Sequence, residues 1–298
     1  MKKAVFFSYK GGSGRSSTLA NVVPFLFEGE SKPSKEHPVI LVDMDLDSTG
    51  LTILCGKSKE VESNPNAFTV SDVLEEGFSY DQQGLLMPVG KVFGQEPESV
   101  LLLPARPGDY KGRDNSSKSV GANAASHLKS FTKIWEKYGG YAIIFDSSSG
   151  DQETATQSVL NSNLIVCCMR PTTQFLEGTV SYFKRLSSQC PSINVLIVPT
   201  AVPQQEYVLD GRTYPQQAKA TILNRFQAEF EDDESLYFDY GAIRRSSGVS
   251  FGVPLVRRFQ WEECILKATQ SDSKNQDEID AMGTYRYIAE KIKDLGEE

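Results

Sequence analysis

Apolar residues in this chain follow two rhythms. Continuous runs such as Val39-Ile40-Leu41-Val42, Ala142-Ile143-Ile144-Phe145 and Leu164-Ile165-Val166 carry no polar alternation. That is the pattern of strands buried on both faces, and hence of a largely parallel sheet. Strands are predicted at 3–8, 39–43, 99–103, 141–146, 164–169, 193–199 and 236–239. Between them, helices are predicted at about 16–28, 69–76, 123–137, 153–161, 174–189, 215–230 and 277–295. Strand–helix alternation along the whole length predicts an α/β fold: a doubly wound, mostly parallel sheet with helices on both faces. No second core and no internal repeat stands out, so residues 1–298 read as one domain. The last helix, at about 277–295, presents Tyr285, Ile288, Ile292 and Leu295 at helical spacing and is expected to pack on that domain. The stretches 107–121 and 203–217 read as surface loops, and the acidic run Glu229–Glu234 as a solvated face.

Composition adds mainly exclusions. The 298 residues are 39% hydrophobic and 23% charged, ordinary for a globular protein. A net charge of −8 argues against a surface wrapped in nucleic acid, while leaving room for a local basic patch. Five cysteines with no C-x-x-C pair, beside only His37 and His127, leave little material for a zinc site or a disulfide framework. The reducing cytosol is the compartment this suits. Met1-Lys2-Lys3 precedes an apolar strand too short for a signal-peptide core. No apolar stretch approaches the ~20 residues a bilayer span needs. A cytoplasmic protein is the expectation.

Candidate chemistry lies at strand ends. After Ala4-Val5-Phe6-Phe7 comes Tyr9-Lys10-Gly11-Gly12-Ser13-Gly14-Arg15-Ser16-Ser17, and then the helical Thr18-Leu19-Ala20-Asn21. A strand, a glycine-rich turn and a helix start can cradle phosphates, because glycines let successive amides point inward and the helix N-terminus adds partial positive charge. The Walker A pattern G-x-x-x-x-G-K-[ST] fails twice, with Tyr9 at its first glycine and Arg15 at its lysine. A second buried strand ends in Asp43-Met44-Asp45-Leu46-Asp47, and a third in Asp146-Ser147-Ser148-Ser149-Gly150. Both place carboxylates at the C-terminal edge of a parallel sheet, where ligands sit.

Taken together these segments resemble the deviant Walker A ATPases of the ParA/MinD family, P-loop NTPases of the SIMIBI type, whose motif K-G-G-x-G-K-[ST] opens with an extra lysine. Lys10 holds that position. The resemblance covers about residues 1–260, including Leu196-Ile-Val-Pro-Thr200 and the late turn Phe251-Gly-Val-Pro254. It implies ATP and Mg²⁺ as cofactors. The amides of Gly11, Gly12, Ser13 and Gly14 would grip the β-phosphate, Ser17 the α-phosphate, and the amide of Gly150 would sense the γ-phosphate. Ser16, Asp45 and Asp146 would serve the metal, with Asp45 also orienting the attacking water. Pro199 and Thr200 lead into the loop expected at the adenine. Asp47 would hold a metal-bound water or cap the next turn. By the same resemblance, Lys10 would reach a partner's nucleotide across a nucleotide-dependent homodimer.

Arg15 is the main departure from the family pattern. Arginine keeps the charge but is longer, planar and forked, so phosphate binding is expected to survive while hydrolysis is slow. The leading expectation is an ATP-dependent dimerisation switch that controls an unidentified partner protein or cargo, with Lys10, Arg15 and Asp45 as the catalytic set. The alternative is a non-hydrolysing scaffold locked in its ATP state by Arg15. A related small-molecule kinase or amidoligase would need substrate residues in 105–122, and none is compelling there. DNA binding through Arg225, Arg244, Arg245, Arg257 and Arg258 is possible but not favoured, since acidic residues crowd the same stretches.

Overall fold

The computed structural model describes residues 1–106, 120–150, 152–189, 192–203, 208–209, 212–231, 235–244, 251–260, 262–268 and 274–296. Its strands are β1 (Lys2–Ser8), β2 (Val39–Asp43), β3 (Met87–Pro88), β4 (Val100–Leu103), β5 (Ala142–Ser149), β6 (Leu164–Met169), β7 (Ile193–Pro199), β8 (Val208–Leu209), β9 (Arg212–Thr213) and β10 (Leu236–Asp239). Its helices are α1 (Arg15–Leu26), α2 (Gly50–Leu54), α3 (Ser58–Ser63), α4 (Val70–Glu76), α5 (Val120–Lys137), α6 (Glu153–Leu160), α7 (Thr173–Ser187), α8 (Tyr214–Phe230), α9 (Gly241–Arg244) and α10 (Gln276–Lys293). Eight strands form one sheet in the order β10-β7-β6-β1-β5-β2-β4-β3, while β8 and β9 form a separate antiparallel pair. Within the large sheet every pairing is parallel except β3 with β4.

All seven predicted strands and all seven predicted helices are present, four of the strands at the expected bounds and the other elements with ends shifted by at most three residues. The short elements α2, α3, β3, β8, β9 and α9 lie outside those expectations. The expected loop at 107–121 falls largely outside the described residues, as do Cys190, Arg245 and part of the acidic run, whereas the described part of 203–217 holds the β8–β9 pair and the start of α8 rather than a loop alone. Cys55, Cys167, Cys168 and Cys264 are free thiols. No described helix is long and apolar enough to cross a membrane.

Successive residues of a strand point to opposite faces, and β1 shows both cores at once. Val5 and Phe7 face the core shared with α4 to α8, whereas Ala4 and Phe6 face the one shared with α1 and α10. This two-sided burial is why the strands read as continuous apolar runs. The predicted stripe on α10 is buried against α1: Tyr285, Ile288 and Ile292 have almost no exposure. Asn275 caps the helix, accepting a hydrogen bond from the Glu278 amide at 2.9 Å.

An ion-pair cluster pins the end of α1 to α10. Glu28 meets Arg286 at 2.9 Å and Lys267 at 2.6 Å, and Lys293 donates to the Glu28 carbonyl at 2.7 Å. Hydrogen bonding from Arg286 draws the Glu28 carboxyl down to about 2, with burial opposing and the Lys267 hydrogen bond adding to the shift. A depressed carboxylate stabilises the fold above its unfolded pKa of about 4.3 and loses that contribution as pH falls toward the folded value. Glu28→Gln is therefore expected to flatten the stability–pH curve below about pH 4.5 and to cost only about 0.5–1 kcal/mol at neutral pH, because the pair is partly exposed. Urea unfolding at a series of pH values checks both.

Candidate functional site

The loop between β1 and α1 turns on two glycines in the left-handed region, Gly12 (φ 75°) and Gly14 (φ 77°). Thr18 then donates its amide to the Gly14 carbonyl at 2.8 Å, so the helix begins immediately. A Cβ at either glycine would meet open space, yet it would stand in a backbone conformation that side chains disfavour. The loop borders a cavity of about 230 Å³ that is also lined by Ser8, Arg15, Ser16, Ser17, Asp45, Ser48, Gly50 and Glu263. Its neighbour, about 380 Å³, lies between Gly12–Gly14 and the segment Val253–Val256, with Phe259, Tyr285, Arg170 and Thr200 on its walls. The smaller compartment is lined mainly by glycines and polar side chains; the broader one adds an apolar wall at Val253–Val256, Phe259 and Tyr285.

Neighbouring segments hold the loop. Thr200 donates its hydroxyl to the Ser13 carbonyl, so it braces the loop as well as lining the apolar cavity. Pro199 does not line that cavity. Its carbonyl accepts from the Val253 amide at 2.8 Å, which places the 252–254 turn opposite the glycines. Tyr9 lies against α7, where a Cβ at Gly178 would come within 2.1 Å of its ring. Lys10 donates to Gln174 at 3.0 Å on the protein surface and lines neither cavity.

Arg15 turns back from the loop onto the carboxylates. Its Nε meets Asp146 at 2.6 Å, its Nη2 meets Asp45 at 2.8 Å, and its Nη1 makes only a long contact of 3.4 Å with Ser8. The side chain is 6% exposed and Asp146 is fully buried. Burial opposes the charge of Arg15, but Asp146 and Asp45 outweigh it and hold the guanidinium ionised. For Asp45 burial likewise opposes ionisation, yet Arg15 and Ser48 draw the carboxyl below its usual range. Asp45 accepts from Ser48 Oγ at 2.7 Å and from the Ser48 and Asp47 amides at 3.2 and 3.3 Å, so both its oxygens are engaged. Asp43 lies beside Asp146 in the sheet register and accepts from the Thr52 amide and hydroxyl at 2.9 and 2.7 Å. Burial, then Asp146, pushes Asp43 up to about 7, and burial also raises Asp146 despite its pairing with Arg15. Two carboxylates thus share one guanidinium, with Asp43 beside them.

The guanidinium of Arg15 contacts the carboxylates, because two buried anions attract it more strongly than open cavity does. Gly150 gives its amide to the Ser8 carbonyl at 3.1 Å, which joins β5 to β1. Asp47 accepts from Gln152 at 3.1 Å. Among the expected DNA contacts, Arg225 is paired with Glu177 at 2.9 Å and Glu229 at 2.7 Å, and Arg258 lies 3.7 Å from both Glu262 and Glu278. Arg257 is exposed, while the side chain of Arg244 is outside the described residues.

The donors present suit magnesium in kind. Ser16 offers a hydroxyl beside Gly50, the carboxylate cluster carries surplus negative charge, and Asp146 Oδ2 is buried without a hydrogen-bond partner. Among the described residues no set of three or more His, Cys, Asp or Glu is arranged as a cage. Magnesium rarely needs one, since it keeps waters and borrows phosphate oxygens. The residues missed by sequence reasoning are those of the apolar cavity, Val253–Val256, Phe259 and Tyr285, together with Glu263. The late glycine–proline turn was the available signal.

No protein-family model matches the chain, and no curated protein sequence matches it. Solved structures do. An aspartate-to-alanine variant of Cyanothece McdA in complex with ATP superposes with a TM-score of 0.66 at 14% identity, covering 98% of this chain and 96% of that one. The septum site-determining protein MinD of Pyrococcus horikoshii, complexed with Mg-ADP, gives 0.59 at 16% identity, covering 99% and 97%. The pNOB8 ParA bound to nonspecific DNA gives 0.64 at 12% identity, covering 98% and 97%. At such identities the likeness shows the fold: a mostly parallel α/β sheet of the MinD/ParA P-loop type.

Proposed function

We propose that this chain is an ATP-binding dimerisation switch of the ParA/MinD type that hydrolyses ATP slowly and controls a partner protein. The observation that carries this reading is the pair of cavities sharing one glycine loop. The polar one fits phosphates at a helix start, the apolar one fits a purine, and carboxylates stand at the sheet's C-terminal edge beside the first. ATP and Mg-ADP in the McdA and MinD structures support the choice of nucleotide.

Amides of Gly11 to Gly14 and the start of α1 would hold the phosphates, with Ser17 near the α-phosphate. Magnesium bound with the nucleotide would neutralise charge between the terminal phosphates. Ser16 would contact it, and Asp45 and Asp146 would act through water. Asp45 would orient the attacking water once released from its present donors. Lys10 is placed outside its own phosphate cavity, which suits a lysine that serves the second protomer of a homodimer. The DNA of the ParA structure is not carried over, because Arg225 and Arg258 are occupied by carboxylates.

Gly14→Val tests the binding site directly. A β-branched side chain at φ 77° both strains the loop and fills the cradle, so calorimetry with ATP is expected to show at least about a hundredfold loss of affinity, more than 2.7 kcal/mol. Equal affinity in the variant would remove the loop from the site. For the switch, light scattering is expected to show a mass increase with a nonhydrolysable ATP analogue, and none with Lys10→Ala. A wild-type protein that stays monomeric would contradict the in-trans lysine.

A further inference from the structure

We propose that Arg15 supplies a second bridge between the buried carboxylates and the nucleotide's phosphates, beside the magnesium bound with the nucleotide, so that this chain's affinity for ATP depends little on magnesium. The inference rests on the nucleotide-binding reading above and concerns the cation of the same site.

In phosphate-loop NTPases the divalent ion neutralises the terminal phosphates while the carboxylates at the strand ends hold it in place. In this chain those carboxylates already hold a cation. Arg15 contacts Asp146 at 2.6 Å and Asp45 at 2.8 Å. Asp146 does not border the phosphate-sized cavity, whereas Arg15 does. Of the described residues lining that cavity, Arg15 is the one cation; Lys10 is engaged with Gln174 outside it.

A guanidinium suits this position where a lysine would not. It is planar, permanently charged and weakly hydrated, and it offers five donors in a fixed fork. Nε and one Nη2 donor are spent on the carboxylates. Nη1 has only the 3.4 Å contact with Ser8, itself a cavity-lining residue. That terminal nitrogen is free to meet a phosphate oxygen while the other edge of the fork keeps its anions, so one rigid group joins carboxylates to phosphates. A divalent ion placed between the same partners would sit beside a fixed positive charge, with Asp146 Oδ1 and Asp45 Oδ2 already engaged by Arg15. A lysine ammonium, a compact point charge on a flexible stem, would leave the carboxylates for the phosphates and restore the demand for metal.

The test is calorimetric titration of the full chain with a nonhydrolysable ATP analogue, in millimolar magnesium and separately in excess EDTA. The wild-type dissociation constant is expected to differ by less than about threefold between the two buffers, while Arg15→Lys weakens by more than about tenfold in EDTA. Wild-type binding that falls more than about tenfold in EDTA would overturn the proposal. So would an Arg15→Lys protein that stays folded by circular dichroism and remains indifferent to magnesium. Should that variant not fold, the wild-type comparison between the two buffers alone upholds or overturns the idea. No heat from the wild type in either buffer would remove the nucleotide reading itself, and this inference with it.

Discussion

Arg15→Met is expected to destabilise the nucleotide-free protein by about 3–5 kcal/mol, the cost of stripping a buried ion pair of one partner. Methionine keeps much of the arginine's length and apolar stem, so the change isolates the charge. It leaves Asp146, fully buried, and Asp45 without their shared cation, beside an Asp43 that burial and Asp146 push up to about 7. Urea unfolding at pH 7 measures the loss. The penalty is expected to shrink at pH 5, because Asp146 and Asp43 are raised by burial and protonation removes the stranded charge. Adding Asp146→Asn to the methionine variant is expected to recover part of the loss at pH 7. A midpoint equal to wild type would show that the carboxylates do not depend on Arg15.

Asp45→Ala carries the second large effect, on turnover rather than stability. If Asp45 orients the attacking water, its removal costs about 3–4 kcal/mol of transition-state stabilisation, or two to three orders of magnitude in rate. Steady-state phosphate release, with the ATP-bound dimer followed in parallel by light scattering, separates chemistry from assembly. Turnover is expected to vanish while the dimer persists. Wild-type turnover no faster than the variant's, with and without candidate partners, would leave the non-hydrolysing scaffold as the better description. In the present arrangement four donors hold Asp45, two side chains and two amides. Hydrolysis requires some of them to let go, which is a physical reason to expect a slow basal rate.

Most of the architecture was legible because buried parallel strands leave unbroken apolar runs. Val39–Val42 and Ala142–Phe145 could be placed from the sequence, and the aspartates ending them fell at one edge of the sheet. Helices α2 and α3 escaped because five or six residues complete fewer than two turns and show no 3.6-residue period. Strand β3 escaped because two residues carry no pattern. At the site, loop and carboxylates were readable; the direction of Arg15 was not. Its partners lie 30 and 131 positions away, and a local motif records which residue follows the glycines without recording which anions it will meet. The walls of the apolar cavity were hidden for a similar reason, since Phe259 and Tyr285 reach it from the far end of the chain.

The close seating of Tyr9 on Gly178 bears on how this loop could have diverged. A glycine at position 9 would remove the ring atoms that crowd position 178, but with the aromatic ring in place even a methyl group there collides at 2.1 Å. The two positions therefore cannot drift independently. Shrinking Tyr9 first opens the way for a larger residue on α7, whereas enlarging Gly178 first drives the ring, and the phosphate loop attached to it, off the helix. One mutational order is passable and the other is blocked, so relatives that carry an aromatic at the first position are expected to keep glycine, and nothing else, at the second.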